Sequence, residues 1–141
     1  MAEKPPRRGP RDGTEARLTP AVFRREKMDA PPAVEEIFDD ANGDLALGDL
    51  EAAAAKYARC TELAPDFSDG WHALGMALMK LGRYPEAIAA GLRTVELRPN
   101  DQLAWSSLSL FYVRAGMIPE AESAGAKAKI LGWGGKIKKP A

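Results

Sequence analysis

Three short strings recur in this chain at one fixed interval, and a repeat of this length decides the fold before any local propensity does. They are Leu47-Gly48-Asp49-Leu50-Glu51-Ala52-Ala53, Leu81-Gly82-Arg83-Tyr84-Pro85-Glu86-Ala87 and Ala115-Gly116-Met117-Ile118-Pro119-Glu120-Ala121. The glycines fall at 48, 82 and 116 and the alanines at 53, 87 and 121, so every interval is 34. Pro65 and Pro99 keep the same spacing, with Trp133 where a third proline would fall, and Trp71 and Trp105 are again 34 apart.

Each column has a physical reason. A glycine after an apolar helical run supplies a left-handed C-terminal cap without a Cβ penalty, and so turns the chain between two helices. A small alanine lets the second helix of a pair approach the first closely. Proline stops the second helix and fixes the entry to the next unit. The tryptophans near a helix start suit wedging between neighbours. Periodicity and these stops predict helices near 33–47, 50–63, 67–81, 84–97, 101–114 and 118–131.

Together these columns resemble the tetratricopeptide-repeat family, whose pattern sets Trp, Leu, Gly, Tyr, Ala, Phe, Ala and Pro at fixed offsets in 34 residues. Residues 68–101 match best, with Trp71, Leu74, Gly75, Gly82, Tyr84, Ala87 and Pro99. Their departures are Leu78 for Tyr, Gly91 for Phe and Thr94 for Ala. Residues 34–67 carry Ala41, Gly48, Ala53, Tyr57 and Pro65, but Asp40 and Asp44 stand at columns that are usually apolar. Residues 102–135 carry Trp105, Leu108, Tyr112, Gly116, Ala121 and Ala128, with Ser109 for the small Gly and Gly125 for an aromatic. The resemblance covers about residues 33–132. It implies an all-α solenoid: three antiparallel helix pairs in a right-handed stack, spanning residues 32–133.

The flanks differ from this body. Residues 1–31 are basic and proline-rich, which predicts mostly disorder. Within them Thr19-Pro20-Ala21-Val22-Phe23-Arg24-Arg25-Glu26-Lys27-Met28 has a plausible N-cap, a proline at the first helical position and adjacent apolar residues. It reads either as a short helix packed on the repeats or as a linear motif for a partner. Residues 134–141 form a second basic tail. The formal net charge of zero conceals +3 in residues 1–30, −6 in 31–135 and +3 in the last six. These short basic ends are read as solvated tail charge, so nucleic acid and membrane are not the expected partners.

A single cysteine, Cys60, excludes an intramolecular disulfide and a cysteine-based zinc site, and its column predicts a buried, inert thiol. The N-terminus has no apolar run of secretory type, and no stretch approaches the ~18 apolar residues of a membrane helix. A soluble, cytoplasmic protein is expected. His72 is the only histidine and has no ligand or nucleophile at useful spacing. Asp39, Asp40 and Asp44 lack the glycine and terminal Glu of a calcium loop, and Gly132-Trp133-Gly134-Gly135 lacks the Lys-Ser/Thr of a phosphate loop. No cofactor, metal or catalytic residue is expected, and the chain is not read as an enzyme.

Function is expected on the concave face that stacking creates. The family's groove-facing columns, carried onto this chain, give Glu35, Phe38, Asn42, Leu45 and Ala46 from the first repeat. They give Asp69, His72, Met76, Met79 and Lys80 from the second, and Leu103, Ser106, Leu110, Val113 and Arg114 from the third. That set is apolar for a solvent-facing surface, and methionines suit an adaptable one. It implies a protein-interaction module, an adaptor or scaffold that accepts a helical or extended peptide, with Lys80 and Arg114 meeting acidic groups at one edge. Some family members hold acidic C-terminal tails with a clamp of Lys, Asn and Arg. Here only Asn42 matches, and Phe38 replaces the lysine, so chaperone tails are not the expected ligand. Three alternatives stay open: the chain's own N-terminal island fills the groove, the protein is an export or assembly chaperone for an aggregation-prone client, or it is a subunit of a larger complex. The chain after Leu131 is too short for another helix. The last repeat is therefore closed by Trp133 and Ile137 folding back, by a second copy or by a partner.

Overall fold

Six helices alternate with three kinds of punctuation, and the punctuation repeats with the sequence. In the computed structural model, which describes residues 30–137, they are α1 (Pro32–Ala46), α2 (Leu50–Leu63), α3 (Ser68–Lys80), α4 (Tyr84–Leu97), α5 (Gln102–Arg114) and α6 (Ile118–Gly132). Every end lies within one residue of its predicted place. The segment Thr19–Met28 and the end of the C-terminal tail lie outside the described residues.

Within each pair the first helix ends in the same way. Gly48, Gly82 and Gly116 adopt φ of +84°, +80° and +78°. The following residue then bonds back across the last turn: Asp49 N–H to Asp44 O, Arg83 N–H to Leu78 O and Met117 N–H to Tyr112 O, each at 2.9 Å. Gly134, at φ +88°, closes α6 by the same device, with Gly135 N–H on Ile130 O. This is the left-handed helix cap, which satisfies carbonyls that would otherwise be orphaned. Between pairs, Trp71 Nε1 donates to Pro65 O at 2.7 Å and Trp105 Nε1 to Pro99 O at 2.8 Å. Proline ends the second helix, and the next repeat's indole takes up its carbonyl. The two columns act as one joint.

The helices pack in chain order, each on the next, and α3 also touches α5. The alanine columns are fully buried at Ala53 and Ala87 and nearly so at Ala121, and Tyr57, Phe67, Phe111 and Leu108 are the largest core side chains. Cys60 is buried, its thiol directed at Val34 O. Burial pushes its pKa from 9.0 up to about 11, so the thiolate that reagents need is scarce at neutral pH.

The departures from the family pattern acquire reasons here. A Cβ on Gly91 would lie 3.0 Å from Phe111 Cδ2, and one on Gly75 would lie 2.8 Å from Phe111 Cε2. The ring missing at 91 is thus supplied by Phe111 from the next repeat. Asp40 and Asp44 occupy columns where α3 has Leu74 and Leu78 and α5 has Leu108 and Tyr112. Those residues face a preceding repeat, which α1 lacks within the stack. Asp40 is exposed, and Asp44 pairs with Lys56 at 2.8 Å. At the other end α6 carries Glu122, Ala126 and Lys129, all exposed, where α4 has Ile88, Leu92 and Val95. Polar terminal faces of this kind keep a repeat array from stacking further. Of the two residues expected to fold back over α6, Ile137 is held at the α4–α5 connection, its N–H on Asn100 Oδ1 at 2.8 Å. Trp133 stays out in solvent at 81% exposure.

Candidate functional site

The first helices α1, α3 and α5 present the five groove columns in parallel, because their residues are related by the 34-residue period. Positions 103, 106, 110, 113 and 114 fall within about a quarter-turn of one another on α5, as a 3.6-residue period requires. Leu103 (61% exposed), Leu110 (36%) and Val113 (48%) make an apolar stripe along it, with Ser106 beside them and Arg114 at its end, both exposed. No further first helix follows α5, so nothing within the described residues covers this stripe.

The same columns are less accessible on the earlier helices. On α3, Met76 is half-buried, Lys80 is exposed and Met79 is buried at 7%, packed in the central core rather than lining an open surface. His72 is half-buried and shares a hydrogen bond of 2.9 Å with Ser107 Oγ, tying α3 to α5. On α1, Phe38 turns its ring onto Phe67 (centroids 5.1 Å, edge-on) and Tyr57 (5.5 Å, tilted). Asn42 is exposed and accepts a hydrogen bond from Tyr57 OH, and Leu45 is half-buried against the core. The positions share one face, then, but their open apolar surface is concentrated on α5.

Removal from water pushes the His72 pKa below its ordinary 6.5, against the opposing pull of Asp101 and Asp69 and with a small push from Arg98. The sign for stability follows. Between the folded and unfolded values the unfolded chain binds a proton that the folded chain does not, so stability is lost as pH falls through 6.5 towards the folded value. His72→Gln should flatten this part of the stability–pH curve, measured by urea unfolding at several pH values between 5 and 7.

Sequence reasoning missed a second concavity, on the opposite face. A cleft of about 390 Å³ lies between α2 and α4, walled by Ala54, Ala55, Ala58, Ala89 and Ala90 and floored on α3 by Trp71, Leu74 and Leu78. Glu51, Arg83 and Glu86 form its rim. Arg83 joins the rim, with Nη2 at 2.8 Å from Glu86 and Nη1 at 3.8 Å from Glu51. The signal was present in the column comparison: Ala54 and Ala58 stand where the second repeat has Ile88 and Leu92. At the next seam Ile88, with Trp105 and Tyr112, packs into the equivalent space, while Leu92 stays 46% exposed.

Residues 38–102 match the tetratricopeptide-repeat family model. Among curated proteins none matches the sequence. Solved structures match the fold. A crystal structure of MamA shares 23% identity at a TM-score of 0.68, over 72% of this chain and 59% of that one. The CopN–Scc3 complex shares 19% at 0.69, over 76% and 64%. The second TPR of Spaghetti (RPAP3), bound to the HSP90 peptide SRMEEVD, shares 20% at 0.66, over 70% and 91%. The chain thus spans under two thirds of the MamA and CopN–Scc3 chains that it matches. At these identities the likeness shows the fold.

Proposed function

We propose that this tetratricopeptide-repeat protein is an interaction module, an adaptor or scaffold that binds a helical or extended segment of a partner along its concave face. The observation that carries this reading is the open stripe of Leu103, Leu110 and Val113 on α5. Three large aliphatic side chains in line on one helix are a surface that water wets poorly, and their burial by a partner is favourable. Met76 extends the stripe towards α3 and can repack around different side chains. Lys80 and Arg114, at the C-terminal ends of their helices, place positive charge at one edge, so a partner segment with an apolar face and an acidic end fits best.

The likeness to a repeat domain bound to a peptide, and to a partner complex, supports a protein as ligand. The acidic body of residues 31–135 disfavours nucleic acid and anionic membrane, since both would meet like charge. No helix among the described residues is long and apolar enough to cross a membrane, and the lone free cysteine fits the cytoplasm. A chaperone that shields one aggregation-prone client would use the same stripe. Co-expression separates the two roles, since a chaperone keeps its client soluble while an adaptor leaves an insoluble protein insoluble.

The test is recovery of a partner from native lysate by the wild type and by Leu110→Glu/Val113→Glu, with the fold of each checked by circular dichroism. The folded variant should lose the partner. Retention of the same partner by the variant would move the binding site off the concave face.

A further inference from the structure

The alanine cleft and the exposed indole lie on different parts of the same molecule and have complementary chemistry. The cleft is apolar and aromatic-floored, and Trp71 is held in place by its bond to Pro65 O, so an incoming ring meets a fixed indole. At the next seam the corresponding Trp105 is covered by Lys127, whose Nζ stands 4.9 Å from the ring centroid. The open concavity is therefore particular to the first seam, and its volume accommodates one large aromatic side chain.

Trp133 is the most exposed aromatic among the described residues. It sits between Gly132 and Gly134-Gly135, where no neighbouring side chain shields it, with Ile130 (41% exposed) one turn back. Its flanks are basic, Lys129 before it and Lys136 after it, and both are exposed. The cleft's rim carries two carboxylates, Glu51 and Glu86, against the single cation Arg83. The positively flanked indole and the negatively rimmed aromatic slot are thus complementary in charge and in apolar character.

We propose that the cleft between α2 and α4 takes Trp133 of a second copy of this chain. The indole stacks on Trp71 between the alanine walls, while Lys129 and Lys136 approach Glu51 and Glu86. Offset or edge-on packing of the two indoles and exclusion of water supply the attraction, and the charges set the orientation. Donor and acceptor surfaces differ, so the contact is heterologous, and repeated head to tail it forms open chains. It leaves the concave groove free, so its success or failure is independent of the partner-binding reading.

Sedimentation velocity over a wide concentration range tests this with three proteins. The wild type should grow beyond the mass of one chain, 15.2 kDa, as concentration rises, and should do so less at high salt. Trp133→Ser removes the knob. Ala58→Leu fills the slot with the residue type that the next repeat uses at Leu92, and Ala89→Leu is a second filler should the first disturb the fold. Each variant alone should need about ten-fold or more concentration to associate. A mixture of Trp133→Ser with a folded cleft-filled variant should form a pair, one copy of each, and nothing larger, since only one productive contact remains. A wild type that keeps the mass of one chain at every concentration overturns the proposal. So does association unchanged in either variant, or a mixture that forms no pair.

Discussion

Phe111→Ala should lower the unfolding free energy by about 3–5 kcal/mol. The ring is fully buried, and it fills space that two helices leave for it: Gly75 on α3 and Gly91 on α4 both lack the Cβ that would collide with it. Removing the ring leaves a cavity walled by backbone, which cannot collapse as side chains can. The converse change, Gly91→Phe, restores the family's aromatic column and should cost at least about 1–3 kcal/mol by overpacking, because the space is taken. The double variant Phe111→Ala/Gly91→Phe should be more stable than Phe111→Ala alone, since the new ring enters the vacated volume from the other side. Urea unfolding of the four proteins gives the coupling directly. Simple addition of the two losses would show that Phe111 and position 91 do not share one site.

Met79→Glu and Leu110→Glu should part widely, although both positions lie in groove columns one helix apart. Met79 is buried in the core at 7% exposure, so a carboxylate there must be desolvated or protonated, at a cost of about 3 kcal/mol or more beyond lost packing. Leu110 faces solvent, and its replacement should change stability by about 0.5 kcal/mol or less. Thermal melts followed by circular dichroism separate the two outcomes. Equal losses would mean that α5 is packed against something that its exposure does not reveal.

The contrast between Met79 and Leu110 marks the limit of what the sequence discloses. Helix ends were legible because each is set locally: a glycine at positive φ closes Gly48, Gly82 and Gly116, and a proline closes the partner helix. The joint between Pro65 and Trp71 was visible as two columns but not as one hydrogen bond, since the indole's direction depends on packing. Groove columns told which residues share a face. They did not tell which remain open, because exposure depends on the neighbours: the middle repeat has one on each side, while among the described residues α5 has no further first helix beyond it. Asp40, Asp44 and Gly91 were seen as departures, but their reasons lie in the packing: Asp40 is exposed, Asp44 pairs with Lys56 on α2, and Phe111 fills the space beside the glycine. The alanine cleft escaped notice for a similar reason. Ala54 and Ala58 are unremarkable in a helix, and they open a cavity only when set against Ile88 and Leu92 of the next repeat.

The concave face is tested most directly by placing a photo-activated cross-linking residue at single positions of the full chain and illuminating it in native lysate. Positions 103 and 110 lie on the open stripe of α5, and position 59 lies on α2, outside the groove columns. Adducts of one mass at 103 and 110, absent at 59, are the result expected of a groove-binding module. The same adduct at 59, or none at 103 and 110 with strong labelling elsewhere, would contradict it.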